Sequence, residues 1–313
     1  MRIEVVRRRV QDQWSFAYLE EAARRLGHDV ESVADGGFSG DVVLLVGSPT
    51  WYPATVRRLV ALAPAARPRV VVFQTEPLAL PRAAPFPHPL PSARELAKIV
   101  LRDPRRSDTR SNLRALVRLH RHGLPQVLGV ATAAWRETLA EAGIAAELIP
   151  LGWSPASGEL LSLERDIDVL FLGETRLRHR RRVLRRLRRD GLDVLAVGSW
   201  TDPAFWGDSR TRLLNRVKIL LNVARAPGQY GLARFVLGAA NGALVVSEPV
   251  YAPEPLVPGV HFVEAPLDDL ADTCRRWLAD DAAREAMVAR AHAFAVRELT
   301  WEHSLERLLA PLR

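Results

Sequence analysis

Cysteine is almost absent from this sequence. Cys274 is the single one in 313 residues, so neither a disulfide framework nor a thiolate-rich metal cluster is available. Its place between Leu270 and Trp277, at helical spacing, predicts a packed thiol. Aromatic residues are also sparse, at 7%, and no apolar run approaches the roughly 18 residues that a membrane span needs. The opening stretch MRIEVVRRRV is too short and too charged for a secretory leader, and a cytoplasmic location is expected. Lysine is scarce as well, so nearly all of the cations are arginine. Together 44 Lys and Arg outweigh 36 Asp and Glu, a formal charge of +8. Such a surface attracts phosphate, nucleic acid or anionic lipid without distinguishing among them. With 48% hydrophobic and 26% charged residues, the chain is globular rather than disordered.

Length allows two domains of ordinary size. In the first half strand-like and helix-like segments alternate. IEVVRRRV begins as a strand, and FAYLEEAARRLG repeats Phe16, Leu19, Ala23 and Leu26 at helical spacing. DVVLLVGS and RVVVFQ are continuous apolar runs of the kind that a parallel sheet covered on both faces requires. Proline density across 77–91 precludes regular structure. Helices are expected near 92–101 and 111–122, then the strand VLGVAT, the helix AAWRETLAEAG and the strand AELIPLG. PLGWSPASGEL, 150–160, has a linker's composition, which divides the chain into 1–155 and 156–313. The second half restarts the rhythm with DVLFLG, an arginine-rich helix, LDVLAVG, RVKILLNVA, ARFVLGAANG, ALVVSE and HFVEA, and closes on three helices. The fold class is therefore α/β, with two Rossmann-like doubly wound domains facing one another across a cleft, and ligands are expected beyond the carboxyl ends of the strands.

Within GQYGLARFVLGAANGALVVSEPV, 228–250, a helix of small residues follows a glycine-bordered loop. Ala239, Ala240 and Gly242 leave room for another backbone or a ligand, and the free N–H groups near Gly231 suit an anion. RLRHRRRVLRRLRRD, 176–190, carries one narrow apolar stripe, Val183, Leu184 and Leu187, under a covering of arginines, and reads as a solvated face. Glu76 follows the buried strand RVVVFQ at the carboxyl end, where it either orients or deprotonates an acceptor hydroxyl or serves as a turn residue or a partner for one of the arginines. Asp12 and Trp14 follow the first strand by the same rule. Trp200, Phe205 and Trp206 are candidates either to stack a base or to fill the core. His120 and His122 lack further ligands at metal spacing. The Asp pairs at 268–269 and 280–281 read as helix caps.

The stretches DVLFLGETRLRHRRRVLRRLRRDGLDVLAVGSW, KILLN, RFVLGAANGALVVSE and the closing PLDDLADTCRRWLADDAAREAMVARAHAFAVRELTWEHSLERLL together resemble the C-terminal domain of GT-B glycosyltransferases. The likeness is nearest to the CgeB-like group, related to the family-4 type, and covers about 165–313. In the first half it rests on RRLGHDVESV and IPLGWSP. The resemblance implies a nucleotide-sugar donor held by the C-terminal domain, an acceptor on the N-terminal domain, no metal, no cofactor and retention of configuration. It implies donor contacts from Arg176, Arg180, Trp200, Lys218, Asn222, Arg225, Gly231, Arg234 and Glu248, with Glu76 and Asp12 as catalytic candidates, and a final helix that crosses back to the first domain. The acceptor is a glycan, a lipid-linked sugar or a small molecule; a peripheral membrane contact is open, and nucleic acid is not expected. Family-4 enzymes carry two glutamates seven residues apart, the second holding the donor ribose. Here those positions read Gln229 and Leu237; alignment through Arg234 and Gly242 puts Leu237 under the ribose, and the alternative is that packing rotates it into the core. Leucine accepts no hydrogen bond, so Glu248 or Asn222 takes over, the donor is held differently, or catalysis is lost. The last option corresponds to a non-catalytic nucleotide-sugar or nucleic-acid binding protein on a degenerate scaffold.

Overall fold

The computed structural model describes residues 1–7, 13–87, 108–198 and 205–313, with side chains from residue 18 onward in the first helix. Asp12 and Trp200, the side chains of Trp14 and Phe16, and the helix expected near 92–101 lie outside the described residues. Two compact units are present. The first comprises residues up to 83, the described part of 88–150 and 301–313; the second comprises 84–87 and the described part of 151–300.

In the first unit, β1 (Arg2–Arg7), β2 (Asp29–Ala34), β3 (Val42–Val46), β4 (Arg69–Gln74), β5 (Val127–Val130) and β6 (Glu147–Leu148) form a parallel sheet in the order β2-β1-β3-β4-β5-β6. α1 (Gln13–Arg25), α2 (Pro53–Ala61), α3 (Thr109–Arg121) and α4 (Ala133–Glu141) connect these strands. Val42 to Val46 and Val70 to Gln74 are buried along their whole lengths, which explains why these strands read as uninterrupted apolar runs. The chain's last helix, Trp301–Leu309, packs in this unit. Trp301 meets Phe73 edge to face at 6.0 Å, and a Cβ on Gly129 of β5 would fall 2.7 Å from Leu308 Cδ1.

Glu4 of β1 is fully buried and charged. The backbone N–H of Ser39 donates to it at 2.7 Å and the Ser39 hydroxyl at 3.1 Å. Burial pushes this carboxyl up, but the backbone N–H groups of Gly40 and Ser39 and the Ser39 hydroxyl outweigh it, so its pKa is lowered. Glu4 therefore contributes stability that is complete above its unfolded pKa of about 4.3 and is lost as pH falls through the lower folded value. Thermal melts between neutral pH and about pH 3 should show the wild type losing more stability than Glu4→Gln across the acid limb. Parallel curves for the two proteins would remove Glu4 from the account.

In the second unit, β7 (Ile167–Leu172), β8 (Leu195–Val197), β9 (Val217–Asn222), β10 (Leu244–Ser247) and β11 (Val263–Glu264) form a second parallel sheet in the order β11-β10-β9-β7-β8. The helices are α5 (Arg178–Arg189), α6 (Gly207–Asn215), α7 (Leu232–Ala240), α8 (Leu270–Ala279) and α9 (Asp281–Arg297). One sheet face buries Val169, Phe171, Ile219, Leu221 and Val246 against Val183, Leu184 and Leu187 of α5 and Cys274 of α8. The opposite face packs Leu170 and Leu220 against α6 and α7. Burial pushes the Cys274 thiol up to about 12, as a packed and unreactive cysteine requires.

The small residues of α7 serve packing rather than a ligand. A Cβ on Gly238 would fall 2.4 Å from Val245 of β10, and Ala239 clusters with Ala291 and Ala295 of α9. Asp280 caps α9 through the Ala283 N–H, whereas Asp268 pairs instead with Arg186.

Candidate functional site

Strand order in the second sheet reverses direction after β7. The chain runs from β7 outward to β8, then returns to the other side of β7 for β9, β10 and β11. The carboxyl ends of β7 and β9 therefore flank a topological switch point, where connections diverge and leave a crevice. Gly173 follows β7, Val223 and Ala224 follow β9, and Glu248 follows β10, so three strand ends converge there.

Two arginines reach this point from different helices. Arg180, in the first turn of α5, is 4% exposed; its Nε donates to the carbonyls of Val223 at 3.0 Å and Ala224 at 3.3 Å, and its Nη1 to that of Glu174 at 3.2 Å. Arg234, in the first turn of α7, is half-buried. Its Nε donates to Leu172 O at 3.2 Å, and its Nη1 donates to Asn222 Oδ1 at 2.6 Å and Val223 O at 3.3 Å. Both guanidiniums sit over the buried Phe171 ring, at 5.4 and 5.3 Å from its centroid. The backbone carbonyls and the ring fix the forks without neutralising them. Nη2 of each arginine has no protein acceptor among the described residues.

Gly173 defines the space in front of these groups. Its φ is +145°, and a Cβ there would fall 3.3 Å from Arg234 Nη2 and 3.6 Å from Arg180 Nη1. Any ligand atom in that volume lies within reach of both guanidiniums. Burial pushes Arg234 down to about 9, with Arg180 and Arg225 acting in the same direction and Glu248 opposing. Arg180 is lowered to about 10, by burial first and Arg225 second. Both remain cationic at neutral pH, so like charges are held together with only partial compensation, and an anion in front of Gly173 relieves that repulsion.

Glu248, 2% exposed, accepts the Ala224 N–H at 2.7 Å and contacts His179 Nε2 at 2.8 and 3.0 Å. Asn222 bridges Arg234 to the Ser247 hydroxyl at 2.9 Å, and Ser247 in turn donates to Glu248 O at 2.6 Å. The structure thus brings together Arg180, Asn222, Arg234 and Glu248. Arg225 is exposed on the loop after β9 and contributes its charge. Arg176 is exposed on the loop before α5, where its backbone N–H donates to Glu174 Oε1 at 2.8 Å. Gly231 is the exposed N-cap of α7, with no side chain capping the free N–H groups. His179, Phe171 and Gly173 escape sequence reasoning: the partner of His179 lies 69 residues away, and no local pattern marks it.

Lys218 is not part of this group. It is the second residue of β9, about 13 Å of strand away from Asn222, and its ammonium pairs with Asp168 at 2.6 Å. KILLN places Lys218 near Asn222 in sequence, but the extended strand carries them to opposite ends of the sheet. Lys218→Glu should therefore change affinity for a nucleoside diphosphate less than about twofold in calorimetry, since an exposed pair is worth about 0 to 1 kcal/mol. A tenfold loss would return Lys218 to the site.

Leu237 is half-buried and packs with Leu172, Leu213 and Ile167 beside the buried Leu170, Leu214, Val217, Leu220 and Ala243. Gln229 is half-buried in the loop before α7. Gly228, at φ +75°, accepts close approach from Phe86 of the proline-rich stretch, whose ring a Cβ would meet at 2.3 Å. Glu76 lies half-buried just beyond β4 in the first unit, where Gln74 Nε2 donates to its backbone carbonyl at 2.7 Å. Trp206 is half-buried, with the Arg210 guanidinium 5.4 Å from its ring centroid, and Phe205 is half-buried beside it. His120 and His122 are exposed at the end of α3.

Residues 178–310 match a family model described as glycosyl transferase-like. No curated protein matches the sequence. Among solved structures, the sucrose-phosphate synthase of Thermosynechococcus elongatus is similar at a TM-score of 0.62 and 12% identity, over 100% of this chain and 99% of its own. Alr3699/HepE of Anabaena, in complex with UDP and glucose, is similar at 0.60 and 14% identity, over 100% and 99%. WaaG, a glycosyltransferase involved in lipopolysaccharide biosynthesis, is similar at 0.56 and 14% identity, over 98% and 99%. No described helix is long and apolar enough to cross a membrane.

Proposed function

We propose that this chain, which has the GT-B fold, is a glycosyltransferase whose donor is a nucleotide-sugar with its diphosphate in front of Gly173, between Arg180 and Arg234. The observation that carries this is that Arg234 Nη2, which has no protein acceptor among the described residues, and Arg180 Nη1 border the same volume in front of Gly173 at the switch point of the second sheet. UDP is the first nucleotide to test, because Alr3699/HepE, of similar fold, is complexed with UDP and glucose.

Departure of the nucleoside diphosphate builds negative charge on its phosphate oxygens. Arg180, Arg234 and Arg225, together with the free N–H groups opening α5 and α7, stabilise that charge electrostatically, so transfer proceeds without a metal ion. The C1–phosphate oxygen bond breaks as the acceptor hydroxyl bonds to the same face of C1, and the departing phosphate takes the hydroxyl proton. This front-face course retains configuration and uses no enzymic nucleophile. Glu248 holds the loop after β9 through Ala224 and keeps His179 oriented beside the donor. The leucine at 237 favours a second reading, a binding protein that does not transfer.

The experiment is incubation with a panel of nucleotide-sugars in the presence of a chelator, with release of nucleoside diphosphate as the readout and NMR of the anomeric centre of any product. Release with retained configuration is expected. Tight binding of a nucleotide-sugar without release across hydroxyl acceptors would favour the second reading, and release only after metal addition would overturn metal independence.

A further inference from the structure

Eight of the twelve residues of α5 are arginine, and none is acidic. They do not all serve one purpose. Arg180 turns into the donor site, Arg186 pairs with Asp268 and Asp190, and Arg189 contacts Asp190. Arg178, Arg181, Arg182, Arg185 and Arg188 are exposed and have no acidic partner among the described residues. Their spacing of 3, 4, 7 and 10 puts them on one side of the helix, opposite the buried Val183, Leu184 and Leu187. The result is a straight cationic stripe about 15 Å long.

This arrangement is unfavourable in isolation. Like charges stand at i,i+4 in the pairs 178/182 and 181/185, and those in the first turn face the positive end of the helix dipole. Packing of the apolar stripe holds the helix nonetheless, so the repulsion remains for an external anion to relieve. We infer that the stripe is a docking surface for an anionic phospholipid bilayer, on which α5 lies flat. A flat array of phosphate headgroups matches a straight stripe on one helix, and clusters of four to eight basic residues on an amphipathic helix have this chemistry. A single-stranded nucleic acid is the poorer fit, because no aromatic side chain on the exposed face of α5 offers a stacking platform, and a duplex would present a curved rather than a flat array of phosphates. The inference is independent of the transfer reaction.

The test uses the full chain and vesicles of phosphatidylcholine with or without about one third phosphatidylglycerol, read by co-sedimentation. Binding is expected only to the anionic vesicles and should weaken steeply as salt shortens the screening length. Replacing Arg181, Arg182, Arg185 and Arg188 together by glutamine should lower partitioning at least about tenfold, since each basic residue near such a surface contributes roughly fivefold. The four lysine replacements at the same positions should retain it. A matched control removes the same charge from the exposed Arg110, Arg114, Arg118 and Arg121 of α3 and should leave partitioning within about threefold. If the glutamine variant does not fold, as judged by circular dichroism, Arg182→Gln with Arg188→Gln reads the same loss in a smaller step. No binding to anionic vesicles, equal losses in the α5 and α3 variants, or tighter binding of duplex RNA than of vesicles at physiological salt would each overturn the inference.

Discussion

Arg234→Gln is expected to lower affinity for a nucleoside diphosphate about 100-fold, while the unliganded protein keeps its stability within about 1 kcal/mol. The two halves of this expectation have different origins. The affinity loss follows from removing the outward Nη2 and its charge beside Gly173, because charge-assisted hydrogen bonds contribute about 1.5 to 3 kcal/mol each. The near-neutral stability follows from a cancellation. Glutamine forfeits donors to Leu172 O, Asn222 Oδ1 and Val223 O, but it also removes a half-buried cation whose protonation is opposed by desolvation, Arg180 and Arg225. Calorimetry gives the first quantity and denaturant unfolding the second. An unchanged dissociation constant would take Arg234 out of the donor site, and loss of both properties together would make it a structural residue. Arg234→Lys should recover little, since one ammonium cannot span the positions that the fork occupies.

Leu237→Glu is expected to destabilise the protein by about 1 to 3 kcal/mol with no gain in nucleotide affinity. Its half-buried side chain packs from α7 toward Leu213 and Leu214 of α6 and Leu172 of β7, so the substitution trades apolar contact for a partly desolvated carboxylate. The resemblance to family-4 enzymes predicts the opposite, because there a glutamate at this position holds the donor ribose. Tighter binding of ribonucleotides by Leu237→Glu, at unchanged stability, would restore the ribose-facing position.

The contrast between Leu237 and Arg234 shows what was legible in advance. Buried runs such as DVVLLV and RVVVFQ announce parallel strands, because burial on both faces leaves no polar alternation to confuse the reading. Arg180, Asn222, Arg234 and Glu248 were accessible to sequence reasoning because each lies in a first helical turn or at a strand's carboxyl end, and in a parallel sheet all such ends meet. Failures arise where a residue's partner is remote in sequence. His179 gains its role from Glu248, Lys218 is claimed by Asp168 at the far end of β7, and the small side chains of α7 answer to Ala291 and Ala295. A helical pattern specifies which residues share a face but not what that face meets. The arginine block, likewise, divides among the switch-point crevice, ion pairs and an open stripe only once the helix is oriented on its sheet.

The most direct test is calorimetric titration of the full chain with the diphosphate, monophosphate and free nucleoside of uridine, guanosine and adenosine. Two guanidinium forks facing the space over Gly173 predict that, for the preferred base, affinity falls at least about tenfold as each phosphate is removed. In Arg234→Gln the step from diphosphate to monophosphate should shrink. A nucleoside that binds as tightly as its diphosphate, or a failure of every diphosphate to bind, would contradict the assignment of this site.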